Sequence, residues 1–289
     1  MITRRHLVSL AVAAAVAAPA TAAQAERELK AIQKRIGGRL GVHALDSQSG
    51  KRFGIDERSR YAMASTFKLP LAAALLWQVD RGAFALERTL PVSRENVLPN
   101  SPAVEAALAA GATTMTLREL CLAIITVSDN AAANILLTGI GGPQALTTFM
   151  RNIGDEVTRM DRTELTLNSN MPGDPRDTTT PRAMVDSLLR IFTQDVLSIP
   201  SRALLIDWLS ASKTGLERVH AGIPKTWLVG DKTGTGENGA VNDLVVAFPP
   251  ERRPVFVAVY MSGSQQTVAT LNAAHAQIGA LVAKELGTG

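Results

Sequence analysis

Ser65-Thr66-Phe67-Lys68 places a hydroxyl and an amine three residues apart. On a helix those positions share a face, so the Lys68 amine stands beside the Ser65 hydroxyl. A serine hydroxyl is a poor nucleophile until a neighbouring base takes its proton, and this spacing can supply that base. A helix N-terminus at Ser65 adds backbone N–H groups and a positive dipole end, which favour negative charge. Pro70 fits this reading, because proline is tolerated near a helix start and not deep inside one. Alone, the tetrapeptide is weak: a capped helix with a solvated lysine has the same sequence.

Three further stretches carry chemistry of a matching kind. Ser128-Asp129-Asn130 interrupts one apolar helical run and precedes another, Ala131 to Leu137. All three residues are good helix caps, so capping explains them as well as catalysis does. Lys232-Thr233-Gly234-Thr235-Gly236 follows the strand pattern Trp227 to Asp231. Its glycines permit close approach of a ligand, and its hydroxyls and ammonium can hold a carboxylate; a polar turn after an edge strand is the plainer account. Arg162-Thr163-Glu164-Leu165-Thr166-Leu167-Asn168 lies in a long irregular stretch that closes at Arg176 to Pro181. Loops of that length in compact domains are usually functional or disordered.

Stretches so far apart need a scaffold to bring them together. Residues 26–37 read as a helix ending at Gly37-Gly38, followed by a hairpin of Leu40 to Leu45 and Lys51 to Ile55 turning through Asp46 to Gly50. From Ser65 to about residue 210 the pattern is helical and rich in alanine and leucine. Strands return at Thr226 to Thr233, Val241 to Phe248 and Val255 to Met261, and residues 267–286 close the chain as a helix. The expected fold is therefore α+β, a mixed α/β arrangement. One antiparallel sheet is built from both chain ends (residues 23–64 and 211–289) and flanked by the terminal helices. An all-helical domain over 65–210 packs against it, with the active site at the junction, where ligand sites favour domain boundaries.

In their order and spacing, the four stretches resemble class A serine β-lactamases. Ser-x-x-Lys, Ser-Asp-Asn and Lys-Thr-Gly are the described signature of that family, and the Glu164 loop lies where the family carries its own. The resemblance runs from about residue 26 to 286 and includes Arg118 to Cys121 and Gly263-Ser264-Gln265. It implies hydrolysis of penicillin- and cephalosporin-type antibiotics, and hence resistance, through an acyl-enzyme on Ser65. Ser65, Lys68, Ser128 and Glu164 would be catalytic. Asn130, Asn168, Lys232, Thr233, Gly234 and Thr235 would bind substrate, with the Ser65 and Thr235 N–H groups as oxyanion hole. Either Lys68 or Glu164 acting through water would take the serine proton. Glu164 and Asn168 would position the deacylating water, and Arg162 with Asp177 would close the loop. No cofactor or metal is implied.

Three departures from the family pattern stand out. Ala72 occupies the position usually joined to Cys121 by a disulfide. Asn100 replaces the usual cleft-rim aromatic. The usual carboxylate-clamping arginine has His220, Asn242 and Leu271 at its candidate positions. His220 is the expected substitute, although Arg218 is near in sequence.

The remaining features bound cell biology and exclude other classes. Arg4-Arg5 followed by the apolar run Leu7 to Ala20 reads as a signal peptide over residues 1–22, possibly to 25, with the paired arginines suiting twin-arginine export. Periplasmic or secreted localisation follows. Thirty basic residues against 26 acidic give a formal charge of +4, and losing Arg4 and Arg5 leaves +2. That mild balance gives no argument for nucleic acid or stable membrane association. A monomer is expected. Cys121 lies in an apolar stretch and reads as a buried, inert thiol. Four histidines and one cysteine show no metal-ligand spacing. A D-alanyl-D-alanine peptidase and a β-lactam sensor share the first three motifs, and Glu164 with Asn168 argues against both.

Overall fold

The computed structural model describes residues 18–287, with side chains from residue 22. The first seventeen residues of the expected leader lie outside the described residues. Helix α1 (Ala18–Ile36) begins earlier than the periodicity suggested and ends at Gly37, whose φ of +68° suits a residue without a Cβ. The hairpin follows as β1 (Arg39–Asp46) and β2 (Arg52–Ile55).

Three late strands complete the sheet. They are β7 (Leu228–Thr235), β8 (Val241–Phe248) and β9 (Val255–Ser262), in the order β2-β1-β9-β8-β7, every neighbour antiparallel. Strands β8 and β9 are buried along nearly their whole length because both sheet faces are covered. This explains the apolar run of β9 and of β8 from Leu244 to Phe248, where a half-exposed strand would alternate. Val245, Val257 and Val259 pack with Leu29 and Ile32 of α1 and with Ile278 and Val282 of α10 (Val268–Leu286). Leu244, Val246, Phe256 and Tyr260 face the opposite way, into the helical layer. Short pairs lie outside this sheet: β3 (Tyr61–Ala62) with β6 (Thr178–Thr179), and β4 (Thr89–Pro91) with β5 (Thr114–Thr116).

The helical layer is organised around α2 (Lys68–Asp80), whose residues from Lys68 to Leu76 are all buried. A helix apolar all round belongs inside, and this one begins at the buried Lys68. Around it lie α3 (Pro102–Ala109), α4 (Leu117–Thr126), α5 (Asn130–Gly139), α6 (Pro143–Asn152), α7 (Pro181–Thr193) and α8 (Ile199–Ser210). The one-turn helix α9 (Val219–Gly222) leads back to the sheet. Thr116 and Glu119 form a capping box that starts α4. Ala72 and Cys121 are both fully buried, and burial pushes the Cys121 thiol pKa upward, consistent with an inert packing residue.

His275 on α10 makes the sheet–helix layer pH-sensitive. The ring is fully buried, with Nε2 against the Val241 carbonyl at 3.1 Å and Nδ1 without a partner. Burial and the nearby Arg218 charge lower its pKa from 6.5 to about 3. Below pH 6.5 the unfolded chain takes up a proton that the native ring refuses, so stability falls as pH drops from 6.5 toward 3. Linkage gives a loss of about 2 kcal/mol between pH 8 and 5 from this group. Chemical denaturation of His275→Leu across that range is expected to show a correspondingly flatter profile; an unchanged slope rules the effect out.

Candidate active site

Ser65 sits in a 3-10 turn, Ala64–Phe67, and α2 starts at Lys68, three residues later than the simple helix reading. A 3-10 turn has three residues per turn, so the i, i+3 relation of Ser65 and Lys68 survives. Ala64 ahead of the serine has a φ of +45°, and Ser128 across the cleft one of +58°. Non-glycine residues in this region cost energy and cluster at functional sites.

Lys68 is fully buried and its Nζ is surrounded by acceptors. It donates to the Ser128 carbonyl at 2.8 Å and Asn130 Oδ1 at 2.6 Å, and lies 3.1 Å from Glu164 Oε1. Burial pulls its pKa down, and the Glu164 carboxylate opposes that shift. Ser65 Oγ also reaches Glu164 Oε1, at 3.4 Å. The Ser128 hydroxyl is bracketed by two amines, Lys68 Nζ at 3.3 Å and Lys232 Nζ at 3.1 Å. Burial and the positive charge of Lys68 hold the Lys232 ammonium well below its ordinary pKa.

Both sequence-level readings of Ser128-Asp129-Asn130 hold, on different residues. Asp129 is a cap: its carboxylate accepts from Ala132 N of α5 at 2.9 Å and from Ala103 N of α3 at 2.8 Å. Tying two helix starts together fixes the turn that turns Ser128 and Asn130 toward Lys68.

The Lys-Thr-Gly motif lies inside β7, which continues to Thr235. A Cβ on Gly234 would stand 2.8 Å from the Met63 carbonyl and 3.1 Å from Ser65 N. Glycine there lets the strand close on the nucleophile's turn. Thr233 donates to Thr214 Oγ1 at 2.7 Å.

The loop is held at several points. Arg162 Nε meets Asp177 Oδ2 at 2.5 Å, and Asp177 Oδ1 accepts from Asp161 N and Arg162 N at 2.8 Å each. Asn168 Nδ2 donates to Glu164 Oε2 at 2.7 Å, while Asn168 Oδ1 is buried without a protein partner. Asn134, which the sequence reading missed, bonds both backbone groups of Glu164 at 2.9 Å each. It lies one helical turn after Asn130, so a second asparagine in an otherwise apolar helix was its available signal.

A cleft of about 520 Å³ opens between these elements, lined by Ser65, Asn130, Asn168, Arg218, Thr233 and Thr235 among others. His220 is not among its lining residues. Its ring lies 3.4 Å from the buried Asp231 carboxylate instead. Arg218 takes the place expected for it: nearly buried, its Nη2 meets Thr235 Oγ1 at 2.7 Å and its Nη1 meets the Gly234 carbonyl at 3.0 Å.

Residues 24–286 match the family model described as the β-lactamase enzyme family. Among curated relatives, a β-lactamase of Amycolatopsis lactamdurans is 44% identical over 82% of this chain and 77% of its own. The carbapenem-hydrolysing β-lactamase KPC of Klebsiella oxytoca is 43% identical over 79% of this chain and 78% of its own. A solved ancestral (GNCA) class A β-lactamase superposes with a TM-score of 0.87 at 49% identity, covering 90% of this chain and 99% of that one. The chain belongs to the class A serine β-lactamases.

As a class A β-lactamase it is a hydrolase of β-lactams, the activity that gives antibiotic resistance. Against that family frame the cleft rim is distinctive. Asn100, with φ +60°, lines the β-lactamase cleft and donates Nδ2 to the Ser128 carbonyl at 2.9 Å. The rim is thus polar and tied to the catalytic turn.

Proposed function

We propose that Ser65 opens penicillin- and cephalosporin-type lactams as follows. Ser65 Oγ attacks the lactam carbonyl while Glu164 accepts its proton, and the developing oxyanion is met by the Ser65 and Thr235 N–H groups. Lys68 Nζ faces the Ser128 carbonyl and hydroxyl, Asn130 Oδ1 and Glu164 Oε1, four acceptors for three N–H donors, an arrangement that suits the ammonium form and leaves it no lone pair for the serine proton. As the C–N bond breaks, Ser128 passes a proton to the departing nitrogen and is resupplied by Lys68, with Lys232 alongside; Lys68 in turn recovers its proton from Glu164, which is a carboxylate again for the next step. Water held between Glu164 and the free Oδ1 of Asn168 then attacks the ester, gives its proton to Glu164, and releases Ser65. Asn130 binds the side-chain amide of the substrate. Thr233, Thr235 and Arg218 hold its carboxylate at the mouth, with Gly234 letting the strand come close.

The carrying observation is the convergence on one carboxylate: Ser65 Oγ and Lys68 Nζ at Glu164 Oε1, and Asn168 Nδ2 at Oε2. That arrangement serves deacylation, which a penicillin-binding peptidase or sensor lacks. Among the described residues no helix is long and apolar enough to cross a membrane. The leader read from residues 1–22 supports export to the periplasm or beyond.

Mixing residues 23–289 with excess benzylpenicillin, and following lactam absorbance with intact mass, tests the reading. Sustained turnover is expected; a single stoichiometric burst would replace it with a peptidase or sensor. In the same assay Arg218→Ala should raise KM about tenfold or more, the cost of losing a charged hydrogen bond. His220→Ala should leave KM near the wild-type value, and the reverse pattern restores the histidine as the clamp.

A further inference from the structure

Behind the catalytic loop, a second cavity of about 350 Å³ separates residues 170–176 from the ends of β1 and β9. Four arginines line it (Arg39, Arg60, Arg162 and Arg176) against one lining carboxylate, Asp174. Asp177 is fully buried beneath Arg162, and Asp56 takes one nitrogen of Arg39 at 3.2 Å. Arg39 is fixed further by its guanidinium lying 4.3 Å over the Tyr61 ring. Arg60 is exposed and held only through Nη1, to the Val157 carbonyl and Thr178 Oγ1 at 3.0 Å each, and makes no ion pair among the described residues. Its remaining donors are available to a ligand. The cavity therefore gathers pre-oriented guanidinium forks, the groups best shaped for bidentate contact with tetrahedral oxyanions.

We propose that this cavity binds a compact phosphoryl oligoanion of the diphosphate type, bridging Arg39 and Arg60 on the body to Arg176 on the loop. Asp174 already accepts from Arg176 in a fork, Nε at 3.0 Å and Nη2 at 2.9 Å, which leaves Nη1 for a ligand. With Arg39, Arg60 and Arg176 around one cavity, a ligand carrying more than one oxyanion group is favoured over a monoanion. Arg162 links the cavity to catalysis, since it lines the cavity wall and anchors to Asp177 two residues before Glu164. A ligand that binds only the closed loop shifts the population toward closure. Occupancy therefore changes the steps that use Glu164, deacylation above all, since Lys68 stands by as an alternative base only for acylation. Binding rests on the cavity, and the kinetic coupling rests on the deacylating role of Glu164 given above.

The test is calorimetric titration of the full mature chain with inorganic pyrophosphate, against potassium chloride at equal ionic strength. Single-turnover acylation and deacylation of benzylpenicillin are then measured with and without saturating pyrophosphate. One-to-one saturable binding is expected, weakened about tenfold or more in Arg60→Gln and in Arg176→Gln, with at least a twofold change in deacylation. Heat that does not saturate, or equal binding by folded variants, overturns the site. Should both variants fail to fold, amide exchange of residues 171–176 in the wild type decides, and no protection by pyrophosphate overturns it. Saturable binding with unchanged deacylation overturns the coupling, while turnover of the free enzyme tests the β-lactamase reading separately. Vesicles containing an isoprenyl diphosphate separate the sources: association competed by pyrophosphate assigns the anion to a lipid headgroup, and none assigns it to a free anion.

Discussion

Glu164→Ala is expected to turn the enzyme into a benzylpenicillin trap, with a one-to-one adduct building up on Ser65. Hydrolysis should fall by about 10²–10⁴, the usual contribution of a general base. The two half-reactions do not suffer equally. Glu164 is the main influence holding the Lys68 pKa up against burial. Removing it makes the ammonium less favourable, so Lys68 becomes a neutral amine able to serve acylation in its stead. Nothing comparable remains for deacylation: Asn168 keeps an acceptor for the water but cannot take its proton. Intact mass spectrometry with stopped-flow absorbance checks this. Turnover near the wild-type rate without an adduct would falsify the assignment of Glu164 as deacylating base.

Asp177→Asn is expected to loosen the loop and lower stability together. Asn tolerates the left-handed backbone at this position, where φ is +57°, so the substitution tests the charge and not the turn. The amide retains an acceptor for Asp161 N and Arg162 N, but it presents a donor to Arg162 Nε. Breaking a buried ion pair costs about 3–5 kcal/mol. Arg162 keeps 19% of its side chain exposed, so partial hydration brings the expected loss to about 2–3 kcal/mol. Glu164 lies two residues from Arg162, and a displacement of the order of an ångström costs about 10²-fold in rate. Thermal unfolding and single-turnover kinetics should show a lower midpoint and slowed deacylation. Both parameters at wild-type values would mean that the pair is a solvated contact with no role in holding the loop.

The β-lactamase frame and the Arg218 result bear on substrate choice. Arg218, the cation proposed to hold the substrate carboxylate, enters the cleft braced by Thr235, the Gly234 carbonyl and the Asn242 carbonyl at 2.6 Å. The polar rim at Asn100 is bonded to the same turn that carries Ser128. Changes at Asn100 therefore reach proton transfer as well as access.

Local sequence determined what depends on neighbours along the chain. The hairpin turn, the capping box at Thr116, and the i, i+3 pairing of Ser65 with Lys68 all follow from short-range geometry. The segments of β8 and β9 read as strands from their local pattern, while their cover on both faces came with the tertiary structure. Motif order was enough to name the chemistry, because each motif supplies one group that acyl transfer needs. Tertiary structure decided what depends on approach between distant segments. Whether Arg218 or His220 enters the cleft is a matter of how α9 docks on β7, which two positions of similar polarity leave undetermined. Asn134 could be found only once α5 and the loop were in contact, since its partners are the backbone groups of Glu164. The arginine-lined cavity is likewise invisible in sequence: its four guanidiniums come from residues 39 to 176, and only the closing of the loop against β1 and β9 places their charges on one wall.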